Sequence, residues 1–241
     1  MRHWLGERFR REQFRPTWFG ILINPFWLAR RGLDENMRKL APRLRGRLLD
    51  VGCGQKPYAD LFEASEYIGL ELDTPANRTS KKADHHYDGA TFPFADSEFD
   101  GVIVNQVFEH IFTPELFLAE VRRVLKNEGL LLMTVPFVWD EHEQPFDFAR
   151  YSSYGLKSVL ESNGFTVLEQ HKSVDDIRVV FQLINTYIFK KTVSGNSWIN
   201  LIATMVFMAP VTLMGILLSR VLPENPDLYL DNCILARKSG V

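Results

Sequence analysis

Cysteine is nearly absent from this chain: two residues in 241, Cys53 and Cys233, far apart and each set in an apolar segment. That scarcity excludes a disulfide-stapled scaffold and a cysteine-built metal site, and reads as two reduced thiols in a cytosolic protein. Net charge is nearly absent too. Lys and Arg number 28 against 30 Asp and Glu, so no general basic excess argues for nucleic acid as a partner. Internal repeats and low-complexity tracts are missing. The N-terminus lacks the form of a signal peptide: its apolar run from Trp18 to Ala29 is broken by Asn24-Pro25, followed by Arg30-Arg31, and has no small-residue cleavage site.

What is present is an ordinary globular composition, 46% apolar and 24% charged, enough for one large domain or a domain with appendages. The charge is uneven, however. From Arg2 to Arg47 basic residues outnumber acidic ones twelve to four, and they interleave with Trp and Phe. We divide the chain into this basic-aromatic arm and lead-in helix, residues 1–45, and a catalytic domain, residues 46–241, with an apolar helical insertion at about 172–225.

Between Arg47 and Phe165 short apolar runs alternate with helical patterns, which predicts a parallel sheet covered on both faces. Strands are expected at Arg47 to Val51, Tyr67 to Glu71, near His85 to Asp88, at Phe99 to Asn105 and at Gly129 to Val135, with a sixth from Thr166 and a last one at Leu228 to Lys238. Helices are expected from about Pro57, at Pro114 to Leu125 with Leu116, Ala119, Val121 and Leu125 inward, and at Ser152 to Phe165, capped and ending at Asn163-Gly164.

In an open parallel sheet a ligand sits at the carboxyl ends of the strands. Those ends carry Asp50, the turn Gly52-Cys53-Gly54, Glu71-Leu72, Asp88-Gly89-Ala90, and Asn105 to His110. Two glycines admit a sharp turn and a close ligand, and an ionised carboxylate after the second strand accepts hydrogen bonds from a ribose diol. Strand, glycine turn, then an acid about twenty residues on points to a nucleoside-bearing cofactor.

The segments "LLDVGCGQKPY", "YIGLELD", "YDGATFPFADSEFDGVIVNQVFEHI" and "EVRRVLKNEGLLLMTVPF" follow one another as in class I S-adenosylmethionine (SAM) dependent methyltransferases, which this chain resembles over roughly Arg47 to Phe165. The resemblance implies a Rossmann-like α/β fold, with a seven-stranded, mostly parallel sheet, an antiparallel last strand, and here an apolar helical insertion before it. It implies SAM as cofactor, with Asp50, Gly52, Cys53 and Gly54 around the methionine part and Glu71 with Leu72 at the ribose. Asp88, Gly89 and Ala90 would meet the adenine, and Asn105 and Gln106 the sulfonium. One departure is that the place of a frequent third glycine reads Lys56-Pro57. A nicotinamide-binding domain fits less well, because G-x-G-x-x-G is missing. A base-amino methyltransferase would end its fourth strand in Asn/Asp-Pro-Pro-Tyr where this chain has "NQVF".

A hydroxyl acceptor needs a base. The candidates are His142, flanked by Glu141 and Glu143, then His110 and Glu143 itself. His110 also reads as part of a strand-helix junction, and Arg150 as a partner of Asp147. The acids lack the separated spacing of metal-dependent relatives, so no metal is expected.

Between the sixth and last strands more than fifty residues intervene. Ile177, Val180, Phe181, Ile184 and Ile188 make one helical face, and from Thr192 to Ser219 no charged residue appears. That length meets the criterion for a membrane span. A single crossing would separate the last strand from its sheet, so the expectation is two short helices breaking at Pro210, dipping into one leaflet with Lys190, Lys191 and Arg220 at one headgroup layer. The Arg-aromatic arm is a second anchor. The other readings of the apolar run are a cap over the acceptor site and a dimer contact. The expectation is therefore a cytoplasmic enzyme on the inner face of the cytoplasmic membrane. Its "VPFVWDEHEQPFDFARYSSYGL" segment resembles methyltransferases of bacterial surface-polysaccharide synthesis, which implies a small-molecule or lipid-linked glycan acceptor and no nucleic acid. A quinone methyltransferase and a catalytically silent SAM-binding partner protein are the alternatives.

Overall fold

The computed structural model describes residue 9 and residues 11–240. The arm from Arg2 to Arg8, and Arg10, lie outside the described residues. The chain divides into two compact units: one takes the residues up to Glu35 with Val138–Asp140 and Lys172–Asp231, the other Asn36–Phe137, Glu141–His171 and Asn232–Val241.

The second unit is built on a seven-stranded sheet of order β3-β2-β1-β4-β5-β7-β6, mostly parallel with one antiparallel strand. β1 is Arg45–Val51, β2 Glu63–Leu72, β3 His85–Tyr87, β4 Phe99–Asn105, β5 Leu125–Pro136, β6 Phe165–Ser173 and β7 Asp231–Lys238. The central strands are near-continuous apolar runs because helices cover both faces of a parallel sheet. Leu49, Val51, Leu70, Val102, Val104, Leu131 and Met133 are all fully buried in one cluster. The expected fold is present.

Three local expectations are corrected. Pro57 starts no α-helix; only a 3-10 turn, Ala59–Leu61, separates the glycine loop from β2, because β2 begins at Glu63 and leaves no length for helical turns. α1 (Trp27–Leu40) and α2 (Pro75–Ser80) precede the helix α3 (Pro114–Val124), which turns in Phe117, Leu118, Val121 and Val124, while Leu116 stays 67% exposed. Aromatic contact decides that rotation: Phe117 meets Phe92 at 5.8 Å and Phe108 at 6.0 Å between ring centroids. α4 (Ser153–Ser162) is capped as expected, Ser152 Oγ accepting from the Gly155 amide.

The third correction concerns the other unit. α5 (Arg178–Thr192) is followed by α6 (Ser197–Ala203), a π-helical turn at Thr204–Met208 and α7 (Ala209–Leu218). The apolar run is one helical span, Ser197–Leu218, and no reversal occurs at Pro210. Proline removes one amide donor, and the π-helical turn beside it absorbs the register change inside the helix. The hairpin instead closes at residues 193–196, between α5 and α6. A span of 22 residues is about 33 Å long, so Arg220 lies a helix length from Lys190 and Lys191 and does not share one layer with them.

This hairpin is inverted in polarity. α5 buries Val179, Gln182, Asn185 and Thr186, whereas Val180, Ile184 and Tyr187 are exposed. Asn185 Nδ2 donates to Thr212 Oγ1 at 2.8 Å, and Gln182 accepts from the Ala29 amide and donates to the Pro25 carbonyl. A Cβ on Gly215 would stand 2.9 Å from Phe181, so α7 packs closely on α5. Pairing of buried polar groups fixes which face of α5 turns inward, and it displaces the apolar face read from the sequence. Arg15, one arm residue that is described, is spent on the fold: it pairs with buried Asp34 at 3.2 Å.

Candidate active site

Chain order reverses between β2-β1 and β1-β4, so a crevice is expected beyond the carboxyl ends of β1 and β4. Val51 pairs with Val104, which sets the glycine turn beside Asn105. Leu72 pairs with Tyr87, which sets the end of β2 beside Asp88. The register thus gathers the sequence-predicted cofactor residues at one edge of the sheet.

The turn uses its glycines differently. Gly52 has φ 70°, and a Cβ there would lie 2.3 Å from Val107 Cγ2; Gly54 has φ 54°, and a methyl there would have nothing within 4 Å. Gly52 is packed shut, and Gly54 faces open space. At the place of the missing third glycine, Lys56 itself takes φ 53°. Its ammonium is tied to the Asp84 carboxylate, and that tie offsets the strain of a left-handed lysine.

The buried acids hold this loop. Asp50 accepts from the Tyr67 hydroxyl at 2.7 Å. Burial pushes its carboxyl up to about 7; the Tyr67 bond and Lys56 oppose the rise and Glu71 adds to it. Glu71 accepts from the Gly54 amide at 2.7 Å and from Asn77 Nδ2 at 3.4 Å. The carboxylate expected at a ribose therefore also pins the loop. Cys53 is buried, and burial plus the Asp50 and Glu71 charges push its thiol up to about 12, so it is no nucleophile.

Asp88 closes an exposed turn, accepting from the Ala90 and Thr91 amides at 2.9 and 3.0 Å, bonds that hold its carboxyl below the usual range. A Cβ on Gly89 would meet Leu72 Cδ1 at 3.1 Å, so Leu72, 43% exposed, and Gly89 form one apolar edge next to Ala90. Asn105 Oδ1 accepts from Thr134 Oγ1 at 2.7 Å. Gln106 has φ 55° and donates its amide to the Thr134 carbonyl at 3.0 Å.

The three catalytic candidates also come together. His110 ends the 3-10 turn Phe108–His110, and its ring meets that of His142 edge-on at 4.8 Å. Glu143 Oε2 stands 4.0 Å from His110 Nε2. Glu109 escaped the sequence reading, and Asp147 was read there only as the partner of Arg150. Glu109, fully buried, directs Oε1 at both rings, 3.8 Å from His110 Nε2 and 4.0 Å from His142 Nε2. Asp147 Oδ2 lies 3.2 Å from His142 Nδ1 and accepts from the His142 amide at 2.9 Å. Arg150 pairs with Asp147 at 2.5 Å, as the sequence expects, and with burial opposing, that bond holds the Asp147 carboxyl down at about 2. The signal available in sequence was the Glu-His pair at 109–110 and the Asp-x-x-Arg at 147–150; neither reveals which side chains converge.

Residues 49–133 match the family described as "Methyltransferase domain". A relative from Mycolicibacterium smegmatis, named a "probable S-adenosylmethionine-dependent methyltransferase", is 31% identical over 61% of this chain and 62% of its own. An O-methyltransferase of Aspergillus nomiae is 27% identical over 55% of this chain and 71% of its own. The chain thus spans less than two thirds of the first of these relatives. Among solved structures, Haemonchus contortus phosphoethanolamine N-methyltransferase 2, in complex with SAM, superposes with TM-score 0.55 at 16% identity over 95% of this chain and 59% of that one; at that identity the likeness speaks for the fold. Residues 49–133 are thus similar to a methyltransferase domain, and the relatives that resemble this chain include proteins named as S-adenosylmethionine-dependent.

Proposed function

We propose that the protein transfers the methyl group of SAM to a hydroxyl of a sugar on a lipid-linked glycan, working on the inner face of the cytoplasmic membrane. The observation that carries the lipid-borne acceptor is the inverted hairpin. Its buried side carries the polar Gln182, Asn185, Thr186, Thr204 and Thr212, while Ile199, Ile202, Val206, Leu213 and Leu217 are exposed at helical spacing, and only 33% of its most apolar stretch is buried. An apolar stripe of this extent is costly in water and favourable against lipid. The same unit holds a half-open cavity of about 570 Å³ lined by Phe14, Phe26, Phe189, Trp198, Leu201 and Arg30, a lining suited to an apolar chain bearing an anionic group.

For the chemistry, the acceptor oxygen's lone pair forms the new O–CH3 bond as the S–CH3 bond breaks and its electron pair returns to sulfur. Positioning supplies most of the acceleration. The hydroxyl proton passes into the cluster of His142, His110 and Glu143, with His142 first because Asp147 orients its ring. Asp50, Gly52 and Gly54 would hold the methionine part of SAM, Glu71 and Leu72 the ribose, and Asp88, Gly89 and Ala90 the adenine.

Incubating the protein with methyl-labelled SAM and fractionated membrane lipids tests the reading. Label in a glycolipid supports it; label in an isoprenoid quinone moves the acceptor to that class; absence of SAM binding by calorimetry defeats it. His142→Ala should lower turnover by about 10²–10⁴-fold with SAM affinity unchanged.

A further inference from the structure

We infer that Glu109, His110 and His142 form a binding site for a divalent transition cation of the zinc class. One potential ligand atom from each residue falls within 4.8 Å of the others. Both imidazoles present Nε2 to the same oxygen, Glu109 Oε1, at 3.8 and 4.0 Å. Ligand atoms around tetrahedral zinc are roughly 3.4 Å apart, given bonds of about 2.0–2.1 Å, so small side-chain rotations close the set.

The second observation is what the other ring nitrogens do. His110 Nδ1 lies 2.6 Å from the Phe146 carbonyl, and His142 Nδ1 lies 3.2 Å from Asp147 Oδ2. A metal-bound histidine typically gives its remaining N–H to a carbonyl or carboxylate, which fixes the tautomer that leaves the other nitrogen's lone pair for the ion. Here both rings have such a partner, one of each kind. Arg150 Nη2, 3.4 Å from His142 Nδ1, brings a positive charge that its pairing with Asp147 offsets. The Glu109 backbone is clamped as well, its carbonyl accepting from the Phe148 and Ala149 amides.

Two imidazoles and one carboxylate suit zinc, cobalt(II), iron(II) or nickel(II) better than magnesium or calcium, which prefer all-oxygen shells. His142 is 31% exposed and Glu143 73%, so one side of the set is open to a fourth ligand. The sequence led us to expect no metal; the approach of His142 to a pair 32 and 33 positions before it is visible only in the fold. The inference rests on the proposed methyl transfer only for its consequence, which is that a hydroxyl reaching the open side is acidified and gives its proton to exposed Glu143. With the cation bound His142 is a ligand, and Glu143 replaces it as the group that takes the proton.

The test titrates the chelator-treated full-length protein with cobalt(II) alone, without SAM, and follows the ligand-field absorption. One equivalent should bind with bands of a low-coordinate, nitrogen-ligated ion, and millimolar magnesium should not displace it. His142→Ala and His110→Ala should each weaken binding at least 100-fold, and Asp147→Asn, which touches only the outer nitrogen, about 10–100-fold. His171→Ala, remote from the cluster, should change nothing. Absence of stoichiometric cobalt binding, or binding that persists in His110→Ala and His142→Ala proteins folded by circular dichroism, overturns the inference. SAM binding measured separately reports on the methyltransferase reading, so the two fail independently.

Discussion

Gly52 and Gly54 give a paired test of how the loop works. Both have left-handed φ, 70° and 54°, so replacing either by Ala costs about 1–2 kcal/mol of backbone strain. Gly52→Ala adds a clash, since its Cβ would sit 2.3 Å from Val107 Cγ2 and 3.3 Å from Cγ1. Val107 must leave its rotamer or the turn must open, for about 1 kcal/mol or more, giving about 2–4 kcal/mol in all. In a chain of this size that is a fall in Tm of roughly 4–16 °C. Gly54→Ala carries the strain alone, because nothing lies within 4 Å of its Cβ, for roughly 2–8 °C. The order inverts for binding. The Gly54 methyl enters the open space in front of the loop, so SAM affinity should fall at least tenfold, about 1.4 kcal/mol. Differential scanning fluorimetry and isothermal calorimetry on both variants decide it. A Gly54→Ala protein that binds SAM as tightly as the parent would refute the idea that this open face receives the cofactor.

Asp50 binds its proton more tightly folded than unfolded, so its contribution is full below about pH 4 and is lost as pH rises through about 7. Asp50→Asn, still able to accept from Tyr67, should raise stability at pH 8 by up to about 4 kcal/mol at roughly 1.4 per pKa unit and leave it unchanged at pH 4; urea midpoints at the two pH values check this. Thr212→Val removes the acceptor of Asn185 Nδ2 and should cost about 1–3 kcal/mol, most of it recovered in the Asn185→Leu, Thr212→Val double variant; equal loss in both would deny the pairing its role. Replacing exposed Phe207 and Leu213 by Asp should release the protein from anionic liposomes at any salt. Deleting residues 2–8 should weaken only the salt-sensitive part, by about 1 kcal/mol per basic residue lost near the surface; a parent protein that ignores liposomes at low salt rules docking out.

The sheet was legible from sequence because each strand's signal is local. A run such as Val102 to Val104 is apolar whatever its neighbours, and a parallel sheet needs such runs. The cofactor edge was legible for the same reason, since a glycine turn and an acid each sit at the end of their own strand. Pairing then brought Gly52 beside Asn105 and Leu72 beside Asp88. Periodicity placed α5 but misread its rotation: apolar spacing chose Val180 and Ile184, and the hydrogen bond from Asn185 to Thr212 chose the opposite face. No local pattern holds that bond, which joins residues 27 apart. Pro210 read as a chain reversal because sequence shows the lost donor and not the π-helical turn that absorbs it. The Glu109, His110 and His142 cluster depends on tertiary structure most of all. Its residue types stood in the sequence, but the distance between two imidazoles and a buried carboxylate is set by the loop from Glu141 to Tyr151 folding back on the turn after β4, where the Phe148 and Ala149 amides reach the Glu109 carbonyl.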